Sequence, residues 1–66
     1  MTVTINGEKH EIPASLTVAR LLTHLGMNSE RVAVERNLEI LPRARWDLTP
    51  VEPDDHYEIV HFVGGG

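Results

Sequence analysis

Cysteine is absent from the 66 residues. The chain therefore has no disulfide framework, no thiolate nucleophile and no zinc–thiolate site, and a cytoplasmic setting fits it best. Long apolar runs are missing too. No stretch approaches the roughly 20 residues of a membrane span, and the start Met1-Thr2-Val3-Thr4-Ile5 lacks a basic segment followed by an apolar one. A soluble, untargeted protein is expected. Basic residues are scarce: six Lys and Arg stand against ten Asp and Glu, a net charge of −4. That balance disfavours nucleic acid and anionic membranes as partners. Length is short as well. A chain of this size forms one domain that buries only about 60% of the surface its unfolded form exposes, with a stability of roughly 3–5 kcal/mol. It has little room for a substrate cavity beside a core, which argues against a self-sufficient enzyme.

The charges that are present segregate. Arg31, Arg36, Arg43 and Arg45 lie mid-chain, and Asp47, Glu52, Asp54, Asp55 and Glu58 follow with no basic residue among them. The plain reading is a solvated surface of mixed sign; the alternative is a patch that steers a charged partner.

Hydrophobic periodicity orders the rest. Thr2 to Ile5 alternates as a half-buried strand should, with Val3 and Ile5 on one face. Asn6-Gly7 then predicts a type I′ hairpin turn, which needs positive φ at both positions. A second strand returns over Glu8 to Ile12, with His10 and Ile12 sharing a face, and Pro13 ends it. A helix of roughly 8–10 residues follows, capped by Thr17 or Ser15 and stopped by Gly26. Its apolar stripe is Val18, Leu21, Leu22 and Leu25. Asn28-Ser29-Glu30 links to a third strand, Val32 to Arg36. Asn37 turns the chain into a short fourth strand, Leu38 to Leu41, which Pro42 closes. Arg43 to Asp55 reads mostly as loop, anchored by Trp46 and Leu48. Pro53-Asp54-Asp55 turns into a last strand, His56 to Val63. The order predicts an α+β fold in which two hairpins flank one helix and the first and last strands pair in parallel at the centre of a mixed sheet.

One helix covers one face of such a sheet. Tyr57, Ile59 and His61 alternate with Val60 and Phe62 along the last strand. Ile59 is expected beneath the helix, and Val60 and Phe62 on the open face as a partner-docking surface. The alternative packs Phe62 over the sheet edge against the Trp46 loop.

Candidate chemistry is sparse. His10, His24, His56 and His61 match no ligand spacing, so no metal site is assigned. Asp54-Asp55 reads as turn chemistry, since no base or nucleophile adjoins it. Ser15 and Ser29 have no assignable partner. Gly64-Gly65-Gly66 is not a phosphate loop, because no helix follows it. These three glycines span at most ~10 Å, and their cost of ordering predicts a mobile tail, residues 64–66, after a folded unit, residues 1–63. From the ending alone two readings stand: a frayed terminus, or a Gly66 carboxylate that is itself the reactive group, with Gly64 and Gly65 passing through a partner's channel too narrow for any Cβ.

Several segments resemble the sulfur carrier proteins of thiamine biosynthesis, the ThiS family. They are Val32-Ala33-Val34-Glu35-Arg36-Asn37-Leu38-Glu39-Ile40, then Pro42-Arg43, and Glu58-Ile59-Val60-His61-Phe62-Val63-Gly64-Gly65-Gly66. The resemblance covers nearly the whole chain. The glycine end is shared by all ubiquitin-like carriers, whereas Val-Glu-Arg-Asn with Pro42-Arg43 is more specific. Where the family has an acidic–glycine turn before its last strand, this chain has Pro53-Asp54-Asp55. The resemblance implies a β-grasp, ubiquitin-like fold and a carrier that is not itself an enzyme and binds no cofactor. A partner adenylyltransferase would use ATP and magnesium to convert the Gly66 carboxylate to an acyl-adenylate. A sulfur donor protein would then displace AMP to leave a thiocarboxylate, and thiazole synthase would take up the sulfur. Rival readings are another diglycine carrier, of the molybdopterin synthase small-subunit or cysteine-pathway type, and a ubiquitin-like modifier or binding module.

Overall fold

A computed structural model of the chain describes residues 1–62. The expectations placed on Gly64, Gly65 and Gly66, and on a tail separate from the folded unit, lie outside the described residues.

Five strands form one sheet in the order β2-β1-β5-β3-β4. They are β1 (Thr2–Ile5), β2 (Glu8–Glu11), β3 (Val32–Arg36), β4 (Glu39–Ile40) and β5 (His56–His61). β1 and β5 run parallel at the centre, and the hairpin partners and β3·β5 are antiparallel. This is the architecture the order of elements predicted.

One α-helix, α1 (Val18–His24), lies across one face. Thr17 is its N-cap and accepts a hydrogen bond from the Arg20 amide at 3.2 Å, satisfying one orphan donor of the first turn. Gly26 at φ +73° supplies the left-handed stop. The helix has seven residues, shorter than expected, because Thr17 and Leu25 serve as caps and not as helical turns. Val18, Leu21 and Leu22 are buried against Val3, Ile5, Val34, Tyr57 and Ile59 from the sheet. Leu25 is only half-buried at the stripe's end.

The first hairpin turn is as predicted, with Asn6 at φ +51° and Gly7 at +83°. The second repeats it with Asn37 at φ +51°, but Leu38 stands at φ +72° where glycine is the default. Leu38 thus belongs to the turn and not to a four-residue strand, and β4 shrinks to two residues. The left-handed conformation costs a residue with a Cβ roughly 1–2 kcal/mol, and the Leu38 side chain recovers none of it, being 91% exposed. Replacement Leu38→Gly is expected to raise stability by roughly 1 kcal/mol. In a domain of this size that is a rise in Tm of about 4–8 °C. A calorimetric scan showing no rise would contradict the strain.

The connection from Leu41 to His56 is not mostly loop. Arg43–Leu48 forms a 3₁₀ helix, whose period of three aligns Arg43 with Trp46 and turns Leu48 away. Trp46 is buried and its indole N–H donates to the Leu41 carbonyl at 3.0 Å. Leu48 is exposed, contrary to its expected role as an anchor, and Val51 is buried in its place. The polar link before β3 is also a short 3₁₀ turn, Ser29–Arg31, capped by Asn28.

Candidate functional site

β5 leads towards the glycines, and the structure fixes it from both sides. Its face is set by alternation: Tyr57 and Ile59 point into the core, and Val60 and Phe62 point away from α1. Val60 is 59% exposed and Phe62 54%, as the sequence predicted. Phe62 is thus not buried, as packing over the sheet edge against the Trp46 loop would require. The Phe62 amide donates to the Arg31 carbonyl at 2.8 Å, carrying the ladder one residue past β5. The aromatic ring is therefore presented from an ordered backbone. Leaving about half of it in water forgoes about half of the roughly 1.5–3 kcal/mol that full burial gives, a noticeable share of what so small a domain has.

The open face contains more apolar surface than Val60 and Phe62. Ala33 lies opposite Val60, and Ile40 lies opposite Glu35, which in turn faces Glu58. Ala33, Ile40 and Val60 line a shallow groove of about 130 Å³ with these two carboxylates. Sequence reasoning missed Ala33 and Ile40 as members of this face. Alternation within β3 would have given Ala33; the two-residue β4 is too short for its register to be legible.

The beginning of β5 is held by a buried carboxylate. Asp55, only 5% exposed, accepts four hydrogen bonds. On Oδ2 they come from Arg36 Nε at 3.0 Å, the Tyr57 hydroxyl at 2.8 Å and the Glu52 amide at 2.9 Å; on Oδ1, from Asn37 Nδ2 at 3.1 Å. Burial acts to raise its pKa, but the four donors outweigh it and hold the carboxyl below its ordinary value. Burial, then the hydrogen bond to Asp55, push the Tyr57 phenol far above its usual range. Asn37 also binds the backbone of His56 twice, Oδ1 accepting at 2.9 Å and its own N–H donating at 2.7 Å. The mid-chain arginines and the acidic run are thus joined at one point, Arg36–Asp55. Asp55 is a structural centre and not simply a turn residue.

Pro42-Arg43 also has a local purpose. The Arg43 guanidinium donates to the carbonyls of Ser29 and, at 3.4 Å, of Val32, and lies 4.6 Å from the centre of the Trp46 ring. It ties the 3₁₀ segment to the start of β3. Among the described residues no group of His, Asp and Glu is placed to hold a metal ion, and no helix is long and apolar enough to cross a membrane.

The described residues therefore present a strand hydrogen-bonded on both sides with an apolar open face, ending just before Val63 and the three glycines. Comparison with known proteins gives this arrangement a context. The model of the ThiS family matches residues 3–66. The crystal structure of a thiamine biosynthesis protein (ThiS) from Geobacter metallireducens superposes with a TM-score of 0.86 at 39% identity, over 100% of both chains. The sulfur carrier protein ThiS of Bacillus subtilis is 42% identical over 50 residues, 76% of each chain. A thiazole synthase of Paramagnetospirillum magneticum is 50% identical over the whole of this chain, which spans only 20% of that protein's length.

Proposed function

This chain belongs to the ThiS family, and from that premise we propose that it is a sulfur carrier of thiamine biosynthesis whose working group is the carboxylate of Gly66. The observation that carries the reading is the family match itself, which runs from β1 through the glycine end. The chain supplies the reacting group and its partners supply the catalysis.

An α-carboxylate has a pKa of about 3.3–3.7 and is ionised at neutral pH, hence a poor electrophile. In the proposed cycle an adenylyltransferase, using ATP and magnesium, lets a Gly66 carboxylate oxygen attack the α-phosphorus; pyrophosphate leaves and an acyl-adenylate forms. The terminal sulfur of a donor protein's persulfide then attacks the Gly66 carbonyl carbon and AMP departs, leaving an acyl disulfide. A second thiol cleaves its S–S bond, taking the donor's own sulfur into a disulfide, so that one sulfur replaces one oxygen. The thiocarboxylate is a soft nucleophile that thiazole synthase consumes. Two relatives named thiazole synthase contain a stretch like this chain within a fivefold longer protein. That supports thiazole synthase as the receiving partner, because joining two partners in one chain raises their effective concentration. Gly64 and Gly65 have the role of slim spacers in the partner channel.

The open face of the sheet is the docking surface in this account, with Val60 and Phe62 as anchors. Phe62→Ala is expected to weaken binding to the adenylyltransferase and to thiazole synthase by more than ~1 kcal/mol, with little change in Tm because the ring is exposed. Titration calorimetry on the variant checks both; a large fall in stability with unchanged affinity would contradict it. The carrier reading itself is tested by incubation with ATP, adenylyltransferase and a sulfur-loaded donor. A carrier gains one sulfur in place of one oxygen, whereas a ubiquitin-like modifier yields larger conjugates.

A further inference from the structure

Asn6 does more than shape the first hairpin. Parallel pairing of β1 with β5 reaches Ile5↔Tyr57 and the Asn6 amide, which donates to the Tyr57 carbonyl at 2.9 Å. There the backbone turns away. The carboxamide of Asn6 takes over: Oδ1 accepts from the Ile59 amide at 2.8 Å and Nδ2 donates to the Ile59 carbonyl at 3.1 Å. A side chain thus stands in for the peptide group that a straight β1 would have offered, and it latches the half of β5 that carries Val60 and Phe62. The same residue precedes Gly7, whose missing side chain leaves its backbone nitrogen unhindered towards the Asn6 carboxamide. A Cβ built on Gly7 meets nothing within 4 Å, so this turn is open to water.

We propose that Asn6 is a hydrolytic modification site, kept closed by its two hydrogen bonds to Ile59 and opened when β5 parts from the turn. In the reaction the Gly7 nitrogen attacks Asn6 Cγ and loses its proton, the Cγ–Nδ2 bond breaks, and ammonia leaves a cyclic imide. Water then opens the imide to aspartate or isoaspartate. One water is consumed, one ammonia is released, and no oxidant or reductant takes part. The change cannot be reversed by reclosing the latch. An aspartate puts an anionic oxygen where a donor faced the Ile59 carbonyl, and an isoaspartate adds a methylene to the turn's backbone. The modified chain therefore holds the outgoing half of β5 more loosely. Its effect on docking rests on the carrier reading; the reaction and the loosening do not.

The test follows peptide mass at Asn6 with time in the unmodified protein at neutral pH, native and in urea, alongside hydrogen exchange at the Ile59 amide in Asn6→Asp. Expected are deamidation at least about tenfold slower in the native protein, and Ile59 exchange at least about tenfold faster in the variant, the size of local opening events. Equal rates in native protein and urea, or no reaction in urea, would overturn the site. Unchanged exchange at Ile59 in Asn6→Asp would overturn the latch. Should that variant fail to fold, protein deamidated in urea and returned to buffer gives the same readout: full recovery of native exchange contradicts the proposal and partial recovery supports it.

Discussion

Deletion of Gly66 is expected to lower the rate of adenylation by about 10²-fold or more while Tm stays where it is. Loss of one residue draws the reacting carbon back by ~3.3–3.6 Å. A misplacement of even 1 Å can cost about 10²-fold, since in the proposed cycle the adenylyltransferase acts on one position of the carbonyl. Extension by one residue moves the carboxylate forward by the same distance and has the same consequence. Stability is set elsewhere, by a core whose members run from Val3 to Ile59. Steady-state adenylation and thermal unfolding of the two variants check the claim; near-normal loading of either would contradict it.

The second large effect concerns Asp55. Replacement by alanine removes the acceptor of four donors at once and leaves the Arg36 guanidinium and the Tyr57 hydroxyl without their partner. Breaking a buried, hydrogen-bonded ion pair in this way costs about 3–5 kcal/mol, comparable with the roughly 3–5 kcal/mol that a domain of this size has. Asp55→Ala should therefore be largely unfolded at room temperature. The same network sets the pH dependence. Asp55 has a depressed pKa in the folded state, so its contribution is present above its unfolded value of about 3.9 and is lost as pH falls through the folded one. Tyr57 has a raised pKa, so its contribution is present below about 10 and is lost as pH rises towards the folded value. Urea unfolding across pH should show both limbs. Tyr57→Phe should flatten the alkaline limb, and Asp55→Asn, if it folds, the acid limb. A protein that keeps its full stability well below pH ~3.9 would show that the carboxylate is not held as described.

The sequence made the framework legible because the framework is periodic. Alternation placed Ile59 under the helix and Val60 and Phe62 in the open, and the Asn6-Gly7 pair marked the hairpin. The helix stripe through Val18, Leu21 and Leu22 identified what covers the sheet. The missing parts are those in which distant side chains meet. Asp55 and Asn37 are 18 residues apart, and Asn6 and Ile59 are 53 apart; no local pattern announces such pairs. Loop anchors failed for a related reason. Leu48 looks like an anchor in an apolar count, yet the 3₁₀ period aligns Trp46 with Arg43 and sends Leu48 outward, while Val51 packs inside. Leu38 shows the converse, a residue whose type argues against the left-handed turn it occupies. The Val-Glu-Arg-Asn and Pro42-Arg43 segments stood out as family marks. In the fold Arg36, Asn37 and Arg43 hold β5 and β3 in place.

The central claim, that Gly66 carries sulfur, is tested most directly by the intact mass of the protein recovered from its own cell. Fragmentation of the same sample locates any modified residue. The account predicts a population in which one sulfur replaces one oxygen, confined to Gly66 and discharged on incubation with thiazole synthase and its substrates. A mass that never departs from the sequence value, or a modification found only on a lysine or as a conjugate to another protein, would contradict it.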